Sequence, residues 1–292
     1  MGGGGLRLGR LPALLVLLAA ALLATAALPA AAEPWRTLAP GLDLGRFPIA
    51  GPQDVGTAEV IVVRIDPERF DLEFAGIASR GEETGRTVRQ WCQQEGFTAA
   101  INAGMFGTDL KTHVGYLRFR GRVESSYVND YQSVAAFDPK KEGLPRFRLF
   151  DLDQPDVTLQ SLKDDYASLV QNLRLIKRPG ENRWHPPARR WGEAALGEDR
   201  EGRILFILVR RPFAMYELND RLLALPLGLV AAQHLEGGPE AQLFVAAGSE
   251  TLEAVGSYDS WFAEGETATW PVPNVLGVRP RQAPLPVSSK KQ

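Results

Sequence analysis

The sequence predicts an α+β fold: a single mixed, strand-rich domain with a few helices packed on the sheet. Three observations predict it. Short apolar runs of strand length outnumber helical stretches. The strands follow one another without the sustained βαβ alternation of a parallel sheet. No fixed-period repeat, low-complexity block or Pro/Gly linker interrupts residues 58–279. A chain of 292 residues, 45% hydrophobic and 23% charged, can bury a sizeable core. Its formal net charge of −2 excludes a basic footprint for nucleic acid.

The first 32 residues read as a separate object. Arg7 and Arg10 precede an apolar run over 11–28, and Ala30, Ala31 and Ala32 offer a small-residue cleavage site. That is the build of a secretory signal peptide, so the mature protein is expected outside the cytoplasm, periplasmic or extracellular. An uncleaved membrane anchor is the lesser alternative, since the run is nearly long enough to span. After cleavage no membrane association is expected. Cys92 is the only cysteine, so no intramolecular disulfide forms.

Residues 33–57 are rich in Pro and Gly and read as an irregular opening segment. The domain proper runs over 58–279. Residues 58–66 and 70–75, joined at Pro67, read as a β-hairpin. Residues 87–95 read as an amphipathic helix with Val88, Trp91, Cys92 and Glu95 on one side, the thiol buried and structural. Strands are expected at 97–102, 115–123, 132–138, 146–151, 169–176 and 203–209, and short helices at 161–168 (Ser161 as N-cap) and 215–225. Residues 177–192 form a loop rich in Arg and Trp, suited to stacking on a sugar or clamping a phosphate. The tail 280–292 reads as disordered.

The chemistry-bearing stretches share one design. The apolar run 227–233 ends in His234, Leu235, Glu236, Gly237 and Gly238, so a carboxylate leaves the core beside glycines that let a ligand approach the main chain. The strand at 97–102 likewise ends in Asn102, Ala103 and Gly104. Either stretch alone reads equally well as a tight turn. Together they mark one site.

These stretches resemble the phosphodiester glycosidase family. Asn102, Gly104, Met105 and Phe106 look like its Asn-x-Gly-x-Phe strand end. Gln171, Asn172, Leu173 and Arg174 fall where it has a Gln-x-Gly-Pro segment. Glu193 to Gly197 is similar to its Arg-Thr-Ala-Ile-Gly strand, and Leu235 to Pro239 looks like its Leu-Asp-Gly-Gly turn. Residues 274–278 resemble its closing strand. The family's aspartate is Glu236 here, and its arginine position holds Glu193, a charge reversal.

The resemblance implies an exported hydrolase of sugar-1-phosphodiesters, with a carbohydrate or glycosyl-phosphate substrate. A glycan-binding envelope protein using the same cleft is the alternative. Glycoside hydrolysis ordinarily uses two carboxylates, and Glu236 (nucleophile or base) and Glu193 (acid, if burial raises its pKa) are the pair it nominates. Asn102, Gly104, Gln171, Asn172, His234, Gly237 and Gly238 would line the substrate, with Arg174 on phosphate and Arg189 and Arg190 as further cations. His113 and His185 read as solvated loop histidines. Three histidines without ligand spacing make zinc improbable, and no cofactor is expected, although a calcium site of carbonyls and carboxylates stays open.

Overall fold

The computed structural model describes residues 1–5, 34–186, 189–258 and 269–282. The expected signal segment beyond its fifth residue, and the tail beyond 282, lie outside the described residues.

The opening segment expected to be irregular instead forms Trp35–Ala39 (β1) and Leu42–Ala50 (β2), paired through a turn where Gly41 takes φ +83°. Pro48 is tolerated because it lies beyond the last pairing with β1, where one side of β2 is an open edge that needs no donor. Thr57–Ile65 (β3) continues that sheet, whereas Phe70–Gly76 (β4) joins another. The expected hairpin is therefore a crossing between sheets. Val60 to Val63 are all buried, and a strand covered on both faces needs layers that a two-stranded ribbon lacks.

Val88–Glu95 (α1) is opened by a Thr87–Gln90 capping box and buries Val88, Trp91 and Cys92. Burial pushes the Cys92 thiol up to about 12, which keeps it unreactive. Ala99–Asn102 (β5) follows. The stretch 115–123 splits at its Arg120–Gly121 turn into Leu117–Phe119 (β6) and Arg122–Ser125 (β7), and Ser133–Pro139 (β8) and Phe147–Asp151 (β9) come next. Leu159–Asp165 (α2) starts earlier than expected: Thr158 is the cap, and Ser161 sits three positions inside as its partner. The run 169–176 breaks at Leu173 into Tyr166–Asn172 (β10) and Arg174–Lys177 (β11), which belong to different sheets. Its amides Gln171 and Asn172 face the interior, not solvent.

Within the expected Arg/Trp loop lies Glu181–Asn182 (β12), and the loop ends in Arg190–Asp199 (β13). Ile204–Ala214 (β14), Met215–Ala224 (α3), Leu229–Gly237 (β15), Gln242–Ala247 (β16), Glu250–Val255 (β17) and Asn274–Pro280 (β18) complete the elements among the described residues.

The fold is strand-rich as the sequence predicts, but the strands of the described residues divide among three sheets. Their orders are β1-β2-β3-β14-β13-β15-β11-β12, β7-β6-β10-β8-β9 and β17-β16-β5-β18-β4. Every strand pairing among the described residues is antiparallel. The main core lies where the three inner faces meet, with Val63, Leu208 and Leu235 against Leu117, Phe137, Ile101 and Leu276. Each such side chain contributes roughly 1.5–3 kcal/mol by leaving water. Helix α3 covers the outer face of the large sheet through Met215, Leu218 and Leu222, and α1 covers the β5 sheet through Val88 and Trp91.

Candidate active site

The nominated residues come from all three sheets and meet at one end of them. Asn172, at the end of β10, donates its amide protons to the Ala103 carbonyl (3.0 Å) and to Gln233 Oε1 (2.8 Å). This ties β10 to the end of β5 and to β15. The His234 backbone N–H donates to the Leu173 carbonyl (2.8 Å), holding the break between β10 and β11 against β15. Asn102 Nδ2 donates to the Glu240 carbonyl (2.6 Å), and its Oδ1 accepts from the Gln242 N–H (2.8 Å), which fixes the turn after Gly237.

Glu193 and Glu236 lie on neighbouring strands, with Glu193 opposite Gly237 and Ala194 opposite Glu236. Glu193 is fully buried and gives its carboxylate to His234, whose Nδ1 lies 2.8 Å from both oxygens. Trp191 Nε1 donates to the same carboxylate at 2.7 Å, and its ring meets the imidazole edge-on with centroids 5.8 Å apart. Burial pushes the Glu193 pKa up, against the opposing pull of His234. Burial works to lower the His234 pKa, but the charge and hydrogen bond of Glu193 outweigh it and the net shift is upward. The two titrate as a pair. Among the described residues His234 Nε2 has no hydrogen-bond partner, so that edge of the ring is open to a ligand.

Glu236 differs. A register shift leaves Leu235 as an extra residue between the Ala195–His234 and Ala194–Glu236 pairs, a bulge of the kind that re-aims side chains beside active sites. Leu235 goes into the core, and Glu236 stays half-buried at the strand end. Desolvation raises its pKa to about 7, with His234 working against the shift and Glu240 and Glu193 adding to it. A carboxyl near neutrality can serve as a base or nucleophile at physiological pH.

The glycines at 237 and 238 act by close approach. A Cβ on Gly237 would sit 2.6 Å from the Trp191 ring, and one on Gly238, where φ is +67°, would sit 2.2 Å from the Tyr258 ring. Tyr258 donates to Glu240 at 3.4 Å, and burial followed by the charges of Glu240 and Glu236 raises its phenol to about 12. Tyr131 is raised chiefly by burial, with Asp130, Tyr127 and Glu236 adding to it.

Other nominated side chains are committed to the scaffold. Gln171 accepts from the Tyr116 N–H (3.0 Å) and donates to the Asn129 and Tyr131 carbonyls (3.1 and 2.8 Å). Arg174 is paired with Asp151 (3.2 Å) and Asp153 (3.0 Å), so it is not a free cation. Gly104 has φ +150°, and a Cβ there would lie 2.2 Å from Asn172 Oδ1, so it serves packing of the amide cluster. His185 is exposed as expected, but His113 is buried: its Nε2 donates to the Gln171 carbonyl (3.1 Å), and desolvation lowers its pKa to about 4. Among the described residues no three His, Cys, Asp or Glu side chains are grouped to hold a metal.

Sequence reasoning nominated none of Tyr131, Tyr258 and Glu240 for the site, and it read Trp191 only as part of a ligand-suited loop, not as the partner of Glu193. Trp191 carried a signal, since two residues apart on a strand share a face and place the indole beside Glu193. Tyr131 and Tyr258 reach the site only through the tertiary fold.

Residues 95–279 match the profile of a family described as phosphodiester glycosidase. A search of curated proteins finds no match. Among solved structures, the catalytic domain of zebrafish N-acetylglucosamine-1-phosphodiester alpha-N-acetylglucosaminidase, auto-inhibited by its pro-peptide, is similar in fold. Its TM-score is 0.60 at 14% identity, over 84% of this chain and 86% of that one. A hypothetical protein from Synechocystis is also similar, with TM-score 0.56 at 14% identity, over 82% of this chain and 62% of that one.

Proposed function

The chain belongs to the phosphodiester glycosidase family, and we infer that it is an exported hydrolase that cleaves a sugar-1-phosphodiester. The observation that carries this reading is the pairing of two different groups at one strand end. Glu236 has a pKa near 7, and beside it His234 is held at Nδ1 by the buried Glu193. Water oxygen joins the anomeric carbon as the bond from that carbon to the phosphate oxygen breaks. The electron pair leaves on the phosphate monoester, and the water proton passes to Glu236. A phosphate monoester leaves readily, so little acid assistance is required.

Phosphate needs donors, and His234 supplies one. Steadied as an imidazolium by Glu193, it would donate from Nε2 to a phosphate oxygen. Glu193 is sealed from solvent, so it acts as a positioning residue, and the acid role expected for it from the sequence is not part of this reading. Arg174 is committed to Asp151 and Asp153, so in this reading His234 is the phosphate donor. The signal-like N-terminus supports export. Among the described residues no helix is long and apolar enough to cross a membrane. The reading uses no cofactor.

A glycan-binding role without turnover is the second reading, favoured by Glu193 at the family's arginine position and by the commitment of Arg174 to carboxylates. Phosphate-monoester release from a panel of sugar-1-phosphodiesters separates the two. Wild-type turnover that rises with pH through about 7 and falls about a thousandfold in Glu236→Gln is the expected result. No wild-type turnover on any member, with sugar binding retained, would replace the hydrolase with the binding protein.

A further inference from the structure

The three sheets that meet at the candidate site also meet at their other end, around a hollow of about 240 Å³. The strand registers separate the two places. On β8, Ser133 pairs with Asn172 at the site end, whereas Phe137 pairs with Ser168 and leads to Asp138 in the hollow. On β14, Val209 lies opposite Glu193, and Ile204, which lines the hollow, lies opposite Glu198. On β4 the hollow takes Phe70, Asp71 and Leu72, while Ala75 and Asn102 flank Val275 at the site end.

The floor is apolar: Phe70, Leu72, Phe137, Phe147 and Ile204 are all buried. The charges around it differ in what they already hold. Arg281 is paired with Asp71 at 2.8 Å and Arg146 with Glu68 at 2.7 Å. Asp138 is not matched in this way. One of its carboxylate oxygens accepts from the Ser168 hydroxyl, and the other has no hydrogen-bond partner among the described residues. Arg120, 4.0 Å away, is committed to Glu73 at 2.6 Å. Asp138 also holds φ +56°, a backbone conformation that few residues other than glycine adopt and that aspartate tolerates.

Burial raises the Asp138 pKa against the pull of Ser168 and Arg120, with Asp71 adding to the rise and Arg281 opposing it. A carboxylate in this state carries a charge that its surroundings do not fully balance. A cation seated in the hollow would balance it, and aromatic walls favour an organic cation. The volume lies below the roughly 300–1,000 Å³ of pockets for drug-sized ligands, so the occupant is small.

We propose that this hollow binds a small organic ammonium ion, with the nitrogen on Asp138 and the apolar part over the phenylalanine floor. The site is separate from the candidate active site, and the proposal stands whether or not the chain is a hydrolase.

Calorimetric titration with cyclohexylamine, cyclohexanol and cyclohexanecarboxylate tests it, since the three share a ring and differ in charge. Near neutral pH the amine is a cation and should bind about tenfold or more tighter than the alcohol, with no binding of the carboxylate. Asp138→Asn should erase the preference for the amine. Asp71→Asn should weaken the amine severalfold by leaving Arg281 unpaired beside it, and it decides the matter if Asp138→Asn unfolds. Glu236→Gln should bind the amine as the wild type does, because Glu236 lies at the opposite end of the strands. No binding of the amine, a preference that neither aspartate variant moves, or one lost in Glu236→Gln overturns the ammonium site.

Discussion

Two polar clusters lie side by side at the meeting of the sheets, and they use buried groups in opposite ways. Asn102 and Gln171 spend both ends of their amides on backbone carbonyls and N–H groups, and Asn172 spends its Nδ2 on Ala103 and Gln233 while its Oδ1 has no partner among the described residues, and so the three tie the sheets together. Glu193, His234 and Glu236 also sit at strand ends, but among the described residues they leave one imidazole edge open and one carboxyl held only by the N–H of its neighbour Gly237 at 3.2 Å. An amide has no charge to tune, so its best use in a buried seam is satisfied hydrogen bonding. An ionisable group can be brought toward neutrality by burial and kept ready to exchange a proton. The difference teaches that proximity to the site does not make a residue a ligand.

That contrast can be broken by mutation. Glu193→Ala should give the largest stability change, a loss of about 3 kcal/mol in denaturant unfolding, because it strips the partner from a buried imidazole. Glu193→Gln should cost less and still lower turnover by removing the charge that raises the His234 pKa. If Glu193→Ala is as stable and active as the wild type, the ionisable cluster has no organising role.

Asn102→Ala comes next, with about 2 kcal/mol lost because the Gln242 N–H and the Glu240 carbonyl are left unpaired. KM at a temperature where the variant is folded should not move. A raised KM with unaltered stability would place Asn102 among the ligands and erase the distinction between the clusters.

The smallest effect sharpens the comparison through pH. The Glu236 carboxyl titrates from an ordinary value of 4.5 in the unfolded chain to about 7 when folded. Between these values the folded state binds a proton that the unfolded state lacks, so this contribution is present at low pH and is lost as pH rises through 7. Glu236→Gln should match the wild type near pH 4 and exceed its stability by about 2 kcal/mol above pH 7, a figure reduced for the partial exposure of the group. A constant difference across that window would mean Glu236 is solvated like an ordinary carboxylate. The amide cluster should show no comparable pH dependence.

Much of the site was legible because strand ends leave a mark in sequence. An apolar run that stops at a polar residue and glycine announces where a chain leaves the core, which is how Asn102 and His234 to Gly238 were found. The roles were less legible. Arg174 looks like a phosphate cation in sequence, and only the placement of Asp151 and Asp153 against it shows that it is an ion-pair partner instead. The break at Leu173 was invisible for a similar reason. Residues 169–176 are one continuous strand by pattern, and the choice of two different sheets for its halves lies with partners far away in the chain.

The sequence by itself determined the strand-rich class, the α1 helix with its buried thiol, and the two glycine-bearing strand ends. These follow from periodicity, capping and backbone freedom, which act over a few neighbouring residues. Tertiary structure alone decided that there are three sheets, that Glu193 faces His234, and that burial sets Glu236 near neutrality. Pairing and desolvation depend on which distant segments exclude water from a group, and no local pattern carries that information.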